Sequence, residues 1–247
     1  MTTATMTDTR FTLLLFTPSV VAVHLGLPET TVRTWLGLAR SPALVTYLGD
    51  KTHPRMASVP FVGRAEAFVL AAFRASGLPF RRIRPAVERL RAEVDLPHAL
   101  ANKRVLTDGV EILFEYGREH DGAVGKDLVV VRNQQVVFRE VVDSYLRCIS
   151  WADDGYSNGF ALPRYVDANV VVDPLRNFGQ PMFAGGGARL EDVLDMFFAG
   201  EPIDIVASEC GVTREQVEAA VRVAGTSQGR GSRTRRRLHY APLLNRR

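Results

Sequence analysis

The chain has 247 residues, 46% hydrophobic and 23% charged, enough to bury one core or two to three small ones. No apolar run approaches the ~18 residues that a membrane-spanning helix needs. The net charge of +4 hides an asymmetry: seven arginines and no acid lie between Gly225 and Arg247, which leaves residues 1–224 at −3 and excludes a strongly basic body.

Met1 to Arg10 is polar and Thr-rich and reads as a loose start. The apolar stretch Phe11 to Val23 is interrupted by Thr17, Pro18 and Ser19, without a basic leader or a small-residue cleavage site. That speaks against a signal peptide and for a cytoplasmic location. Thr17-Pro18 suits a helix start, because Thr can cap free amides and Pro fits the first helical position. This helix should run to Leu25, turn at Gly26-Leu27-Pro28, and re-enter a helix from Glu29 to Leu36. Residues 40–63 read as a loop or hairpin closing on Ser58 to Phe61.

Arg64 to Ala75 is expected to be helical, with Phe68, Ala72 and Ala75 on one face, and Phe80 to Val94 forms the next helix around Ile83, Val87, Leu90 and Val94. The period then changes. Arg104–Thr107 and Glu111–Glu115 flank Asp108-Gly109, a hairpin signature, and Leu128–Val131 and Gln135–Phe138 flank a second turn. A third hairpin joins Cys148–Trp151 to Gly159–Leu162 around Asp153-Asp154-Gly155, and Val170-Val171-Val172 ends the β-containing stretch. Leu190 to Ala199 puts Leu190, Val193, Leu194 and Phe197 on one helical face. Pro202 restarts a helix, Gly211 turns it, and Thr213 caps a last helix through about Ala224. The remainder, rich in Gly, Ser and Arg, is expected to be disordered alone.

One pattern occurs twice. Val21-Ala22-Val23-His24-Leu25-Gly26-Leu27, with Val32 five residues on, aligns without a gap over Val206-Ala207-Ser208-Glu209-Cys210-Gly211-Val212 and Val217. A helix-turn-helix needs this: a small Ala for close helix crossing, a Gly for positive φ in the turn, and apolar residues for a shared core. The competing reading is an αα-hairpin in an ordinary core. The first copy offers Glu29, Thr30, Thr31, Arg33 and Thr34 outward, suited to base edges and phosphates, with Val32, Trp35 and Leu36 inward. The second offers Arg214, Glu215, Glu218 and Arg222, a mixed face better suited to protein contact or dimerisation.

Other constellations point to no catalysis. Gly185-Gly186-Gly187 lacks the Lys-Ser/Thr of a phosphate-binding loop and reads as a turn. Asp153-Asp154 is turn chemistry, and Glu191, Asp192 and Asp195 suit a first helical turn. The five histidines and two cysteines show no ligand spacing, so neither metal nor cofactor is expected. The tail arginines could neutralise phosphates or enter an acidic pocket of a protein partner; Leu238, Tyr240, Leu243 and Leu244 favour the protein partner.

Residues 11–36, with Val32-Arg33-Thr34-Trp35, resemble the winged-helix opening of MerR-type regulators. Residues 173–224, with Asp173-Pro174, Phe178-Gly179-Gln180-Pro181, Gly185-Gly186-Gly187 and Ala199-Gly200-Glu201, are similar to a small domain found in VapB-type antitoxins of bacterial type II toxin–antitoxin pairs. The arrangement of both around a β-containing middle resembles the larger mycobacterial VapB-like antitoxins. The resemblance implies an α+β protein, mostly α, in four parts: a winged helix-turn-helix over 11–95, a β-rich middle over 96–172, a three-helix domain resembling a helix-turn-helix over 173–224, and a basic tail over 225–247. It implies an antitoxin that binds a PIN-like ribonuclease toxin and represses its own operon, as a homodimer or a toxin–antitoxin hetero-oligomer, without a membrane. By position, Thr30, Thr31, Arg33 and Thr34 match the recognition helix, and Lys51, His53 and Arg55 match the wing. Arg233, Arg235, Arg236, Arg237, Leu238 and Tyr240 are the candidate toxin contacts. The alternative is a stand-alone MerR-like transcriptional regulator that senses a ligand through its middle region.

Overall fold

The computed structural model describes residues 8–39, 41–50, 53, 56–75, 80–94, 96–103 and 144–228. The hairpins expected over 104–115 and 128–138, Lys51, Arg55 and the tail from residue 229 on, with its toxin-contact candidates, lie outside the described residues. Helix α1 (Thr9–Thr12) and strand β1 (Leu14–Phe16) lead into α2 (Pro18–Leu25) and α3 (Glu29–Trp35). Strand β2 (Val59–Pro60) runs into α4 (Phe61–Ala75), followed by α5 (Phe80–Val94). Strands β3 (Ile149–Trp151), β4 (Ser157–Ala161), β5 (Val170–Val172) and β6 (Met182–Phe183) precede helices α6 (Leu190–Phe198), α7 (Ile203–Cys210) and α8 (Arg214–Gln228). The architecture is α+β with helix predominant, as expected.

The start of α2 follows from its capping residues: Thr17 Oγ1 accepts the Val20 N–H at 3.2 Å, and Pro18 sits where no amide partner is needed. β1 and β2 pair antiparallel, Leu14 opposite Pro60 and Phe16 opposite Val59. The Ser58 amide donates to Phe16 C=O (2.9 Å) and the Leu48 amide to Ser58 C=O (3.0 Å), which closes the base of the segment between Leu48 and Ser58.

Helix α4 differs from the expectation of one apolar face. Every residue from Phe61 to Phe73 is buried, and Ala75 is exposed. It also begins three residues before Arg64. The cause is its central place: α1, α2, the β1–β2 pair, α5 and the short turn Ala99–Ala101 all pack around it. A helix surrounded on every side carries apolar residues all round. On α5, Ile83, Val87 and Leu90 are buried as expected, whereas the side chain of Val94 lies outside the described residues.

Strands β3 to β6 form one antiparallel meander, with Ile149 opposite Phe160, Phe160 opposite Val172, and Val170 opposite Phe183. The β3–β4 turn is the expected one at Asp153-Asp154-Gly155, where Asp154 accepts the Tyr156 amide at 2.9 Å. β6 carries no sequence signal of its own, being a two-residue strand. The sheet therefore extends from Ile149 to Phe183, across residue 172.

Two terminal expectations are corrected. Asp8 to Arg10 are held in place, because Arg10 pairs with Asp8 at 2.6 Å and also with Asp154 of the β3–β4 turn. Phe11 is buried against the rings of Tyr156 and His98. At the other end α8 runs to Gln228, through Gly225, rather than ending near Ala224.

Two charged side chains of α4 are fully buried. Glu66 accepts the Thr46 amide at 2.6 Å and faces Arg91 Nη2 at 3.5 Å; burial pushes its carboxyl up, against the pull of Arg91. Arg64 joins β1 to the four-stranded sheet and to the loop at Gly179. Its guanidinium lies 4.7 Å from the Phe16 ring centroid and 4.9 Å from that of Phe160, and its Nη1 donates to Gly179 C=O at 3.0 Å. Gly179 (φ 70°) closes a run of three left-handed residues with Asn177 (φ 48°) and Phe178 (φ 53°). A Cβ on Gly179 would stand 2.8 Å from the Phe16 ring, so only glycine permits this approach.

Buried cation–π contacts and a charge-assisted hydrogen bond each contribute on the order of 2 kcal/mol. Arg64→Ala should therefore lower unfolding free energy by about 3 kcal/mol or more in urea denaturation, with Arg64→Met recovering part of the loss. A loss below about 1 kcal/mol would contradict this place for Arg64.

Candidate nucleic-acid interface

The two copies of the repeated pattern fold alike. In the first, Gly26 (φ 65°) receives its turn from bonds of the Leu27 amide to Ala22 C=O at 2.9 Å and the Gly26 amide to Val23 C=O at 3.1 Å. In the second, Gly211 (φ 63°) stands at the same place, with Val212 N–H to Ala207 C=O at 3.0 Å and Gly211 N–H to Ser208 C=O at 3.4 Å. Both are glycine-terminated helix ends in which the six-to-one and five-to-two bonds satisfy the last carbonyls. Val21 and Val206, Ala22 and Ala207, and Val32 and Val217 are all buried, so corresponding positions do corresponding work.

The outward faces differ. On α3, Glu29 and Thr30 are exposed, Thr31, Arg33 and Thr34 are half-buried, and Val32, Trp35 and Leu36 are buried. Arg33 Nη1 lies 3.8 Å from Glu29, whose other oxygen accepts from Ser19 Oγ at 2.7 Å. Thr34 Oγ1 donates to Thr30 C=O at 2.9 Å. Thr31 Oγ1 accepts from Arg74 Nη1 at 3.2 Å. Thus the four expected recognition residues share one helix face, and a fifth group, Arg74 of α4, joins them from outside the motif. No spacing rule links Arg74 to Thr31. The available signal was a basic residue in the last turn of an otherwise apolar helix.

His53, expected at the wing, is exposed, with Nδ1 3.1 Å from the Asp50 carboxylate. This contact sits on a short segment whose base is the Leu48–Ser58 bond.

On the second copy, α8 begins with a capping box: Gln216 N–H donates to Thr213 Oγ1 at 3.2 Å, and Thr213 N–H to Gln216 Oε1 at 3.0 Å. Arg214 is gripped by both oxygens of Asp204 (2.7 and 2.9 Å) and by Glu218 at 2.9 Å. A guanidinium already matched to two carboxylates has little to offer a phosphate. The Gly185-Gly186-Gly187 loop is structural: a Cβ on Gly186 would come within 2.6 Å of Gly211 C=O, so the loop packs directly under the second turn.

His24, inside the first copy, is half-buried as a residue, but its Nδ1 is enclosed, and its ring stands edge-on to Phe16 at 6.4 Å. Burial, with the nearby Arg64 charge, holds its pKa well below the usual imidazole value. Cys148 and Cys210 are free thiols that burial pushes up, the opposite of nucleophile activation. Among the described residues no group of three or more His, Cys, Asp or Glu could hold a metal, and no helix is long and apolar enough to cross a membrane.

The two copies fall in stretches that match two different families. Residues 14–87 match a family described as "Putative DNA-binding HTH domain", and residues 170–224 match one described as "Protein of unknown function (DUF433)". The chain is 41% identical over 229 residues to "Putative antitoxin VapB45" of Mycobacterium tuberculosis, covering 87% of this chain and 95% of that protein. It is 27% identical over 211 residues to "Uncharacterized protein Rv2308" of the same organism, covering 80% and 84%. The X-ray crystal structure of Rv2018 from Mycobacterium tuberculosis superimposes with a TM-score of 0.71 at 38% identity, covering 86% of this chain and 99% of that one.

The neutral, enclosed His24 makes stability pH-dependent. Its folded pKa is depressed, so the unfolded chain takes up the proton first, near the ordinary value of 6.5, and stability falls as pH drops through that value. His98, also lowered by burial, adds to the same slope. His24→Phe should flatten the fall in unfolding free energy between about pH 7.5 and 5.5. An unchanged slope would show that His24 is not held neutral.

Proposed function

The chain belongs to the family of VapB-type antitoxins, and from that premise we propose that it neutralises a cognate PIN-like ribonuclease toxin and represses its own operon. The observation that supports the DNA half is the asymmetry of the two helix-turn-helix units. In the first, Thr30, Thr31, Arg33 and Thr34 stand on one accessible face with Arg74 beside them. In the second, the leading arginine is tied up by Asp204 and Glu218. The recognition helix α3 would enter the major groove, and the wing carrying Lys51, His53 and Arg55 would touch flanking phosphate or minor groove. Residues 1–224 carry a net charge of −3, so tight binding is expected from a homodimer or a toxin–antitoxin hetero-oligomer engaging two half-sites at once.

Toxin binding is assigned to the tail on composition. Arg233, Arg235, Arg236, Arg237, Leu238 and Tyr240 combine cations for an acidic, metal-binding nuclease centre with apolar groups that phosphate binding does not need. In this reading the four-part division of the chain separates the tasks: DNA contact over 11–95, protein contact over 173–224 and the tail.

Co-expression with the neighbouring gene product tests the toxin half. Deleting residues 229–247, which leaves α8 entire, should abolish rescue of growth and co-purification with the neighbour. Full rescue by the truncated chain would remove the tail from the account; no association of the intact chain would favour a stand-alone regulator. For the DNA half, Arg33→Ala should weaken binding to the DNA upstream of the chain's own coding sequence by about 1–3 kcal/mol, and an unchanged affinity would count against α3 as the reader.

A further inference from the structure

Two of the three hydroxyl groups of α3, those of Thr31 and Thr34, are already committed, and their commitments sort the face. Arg74 Nη1 lies 3.2 Å from Thr31 Oγ1. A guanidinium only donates, so the Thr31 oxygen accepts and its own proton is turned toward some other acceptor. Thr34 is the reverse case: a carbonyl only accepts, so the Thr34 proton is given to Thr30 C=O at 2.9 Å. Thr34 therefore shows the outside its lone pairs and methyl group, whereas Thr31 shows a donor.

Arg74 has a second distinction. Arg33 is drawn to Glu29 at 3.8 Å, and Arg214 to Asp204 and Glu218. Among the described residues no carboxylate pairs with Arg74, and its side chain is exposed. It is mounted on α4, whose preceding residues from Phe61 to Phe73 are all buried, so its backbone is rigidly placed. The hydrogen bond to Thr31 also limits the rotamers of the long side chain before any ligand arrives.

We propose that Arg74 and Thr31 form a preformed binding site for a backbone phosphate of DNA, lying beside the recognition helix and outside the helix-turn-helix motif. This rests on the reading of α3 as the recognition helix. Two donors side by side, one of them charged, suit the paired non-bridging oxygens of a phosphodiester. A base edge is the less suitable ligand, because Arg74 belongs to a helix other than the one that would enter the groove. Thr31 accordingly moves from reading bases to holding register, and Thr30, Arg33 and Thr34 are left as the base-reading set. The cation that neutralises a phosphate is then Arg74, since Arg33 must first leave Glu29.

The test uses the full chain and two duplexes: the DNA immediately upstream of its coding sequence, and a shuffled duplex of equal composition. Arg74→Ala should weaken binding to both by the same factor, roughly tenfold, and make the dependence of log affinity on log salt shallower by about 0.9. Thr31→Val should weaken both duplexes equally while leaving the salt slope unchanged, because it removes a donor without a charge. Arg74→Lys should restore the slope. Thermal unfolding of each variant, expected near wild type for these surface changes, separates misfolding from lost contact. An Arg74→Ala protein with wild-type affinity and slope on both duplexes would overturn the site, and so would a loss confined to the upstream duplex with an unchanged slope. Arg33→Ala, measured in parallel, decides the recognition helix separately: loss there with no loss at Arg74 leaves the reader standing and removes only the phosphate site.

Discussion

One buried cation, Arg64, meets three separate parts of this fold at once. Arg64 sits between the rings of Phe16 and Phe160 and bonds to the carbonyl of Gly179. Those three partners belong to the strand before the first helix-turn-helix, to the central sheet, and to the loop that opens the C-terminal region. An arginine without water is costly unless its surroundings replace that water with fixed dipoles and ring faces. Here two ring faces and the Gly179 carbonyl supply part of that replacement, and the requirement works in both directions. Gly179 must lack a side chain to come so close to Phe16, and the left-handed run from Asn177 to Gly179 must hold its carbonyl toward the guanidinium. Asn177 supports that run by donating to Gly187 C=O at 2.8 Å.

Within this frame one scaffold is used for two purposes. Both copies bury the same positions and turn on the same glycine hydrogen-bond pattern, so the repetition is a repetition of packing. What differs is surface charge placement. Asp204 precedes Arg214 by ten residues and lies on the adjoining helix, where it meets the guanidinium with both oxygens. The first copy has a serine, Ser19, and a glutamate, Glu29, in the comparable crossing, and its arginine is held only at 3.8 Å. A shared core thus coexists with separate partners.

Much of this was legible in the sequence. Thr17-Pro18, Gly26, Gly211 and Thr213 are local signals whose chemistry is complete within four residues, and each acts as its type implies. The turn at Asp153-Asp154-Gly155 was equally local. What escaped depends on partners distant in sequence. The burial of Arg64 and Glu66 has no local sign, because nothing near them in sequence announces that neighbouring elements enclose that helix on every side. Arg10 looked like part of a loose start, since its partner Asp154 lies 144 residues away. Arg74 escaped for the same reason, and it changes the candidate site most, by reassigning Thr31. Lys51, Arg55 and residues 229–247 lie outside the described residues, so their roles stay with the sequence reading.

The central claim is that the first helix-turn-helix faces DNA and the second does not. Amide hydrogen exchange on the full chain, with and without the duplex from upstream of its coding sequence, tests it most directly. Slowed exchange is expected across α3, residues 29–35, and at the end of α4, with α8 at 214–222 unchanged. Protection of 214–222 without protection of 29–35 would contradict the account.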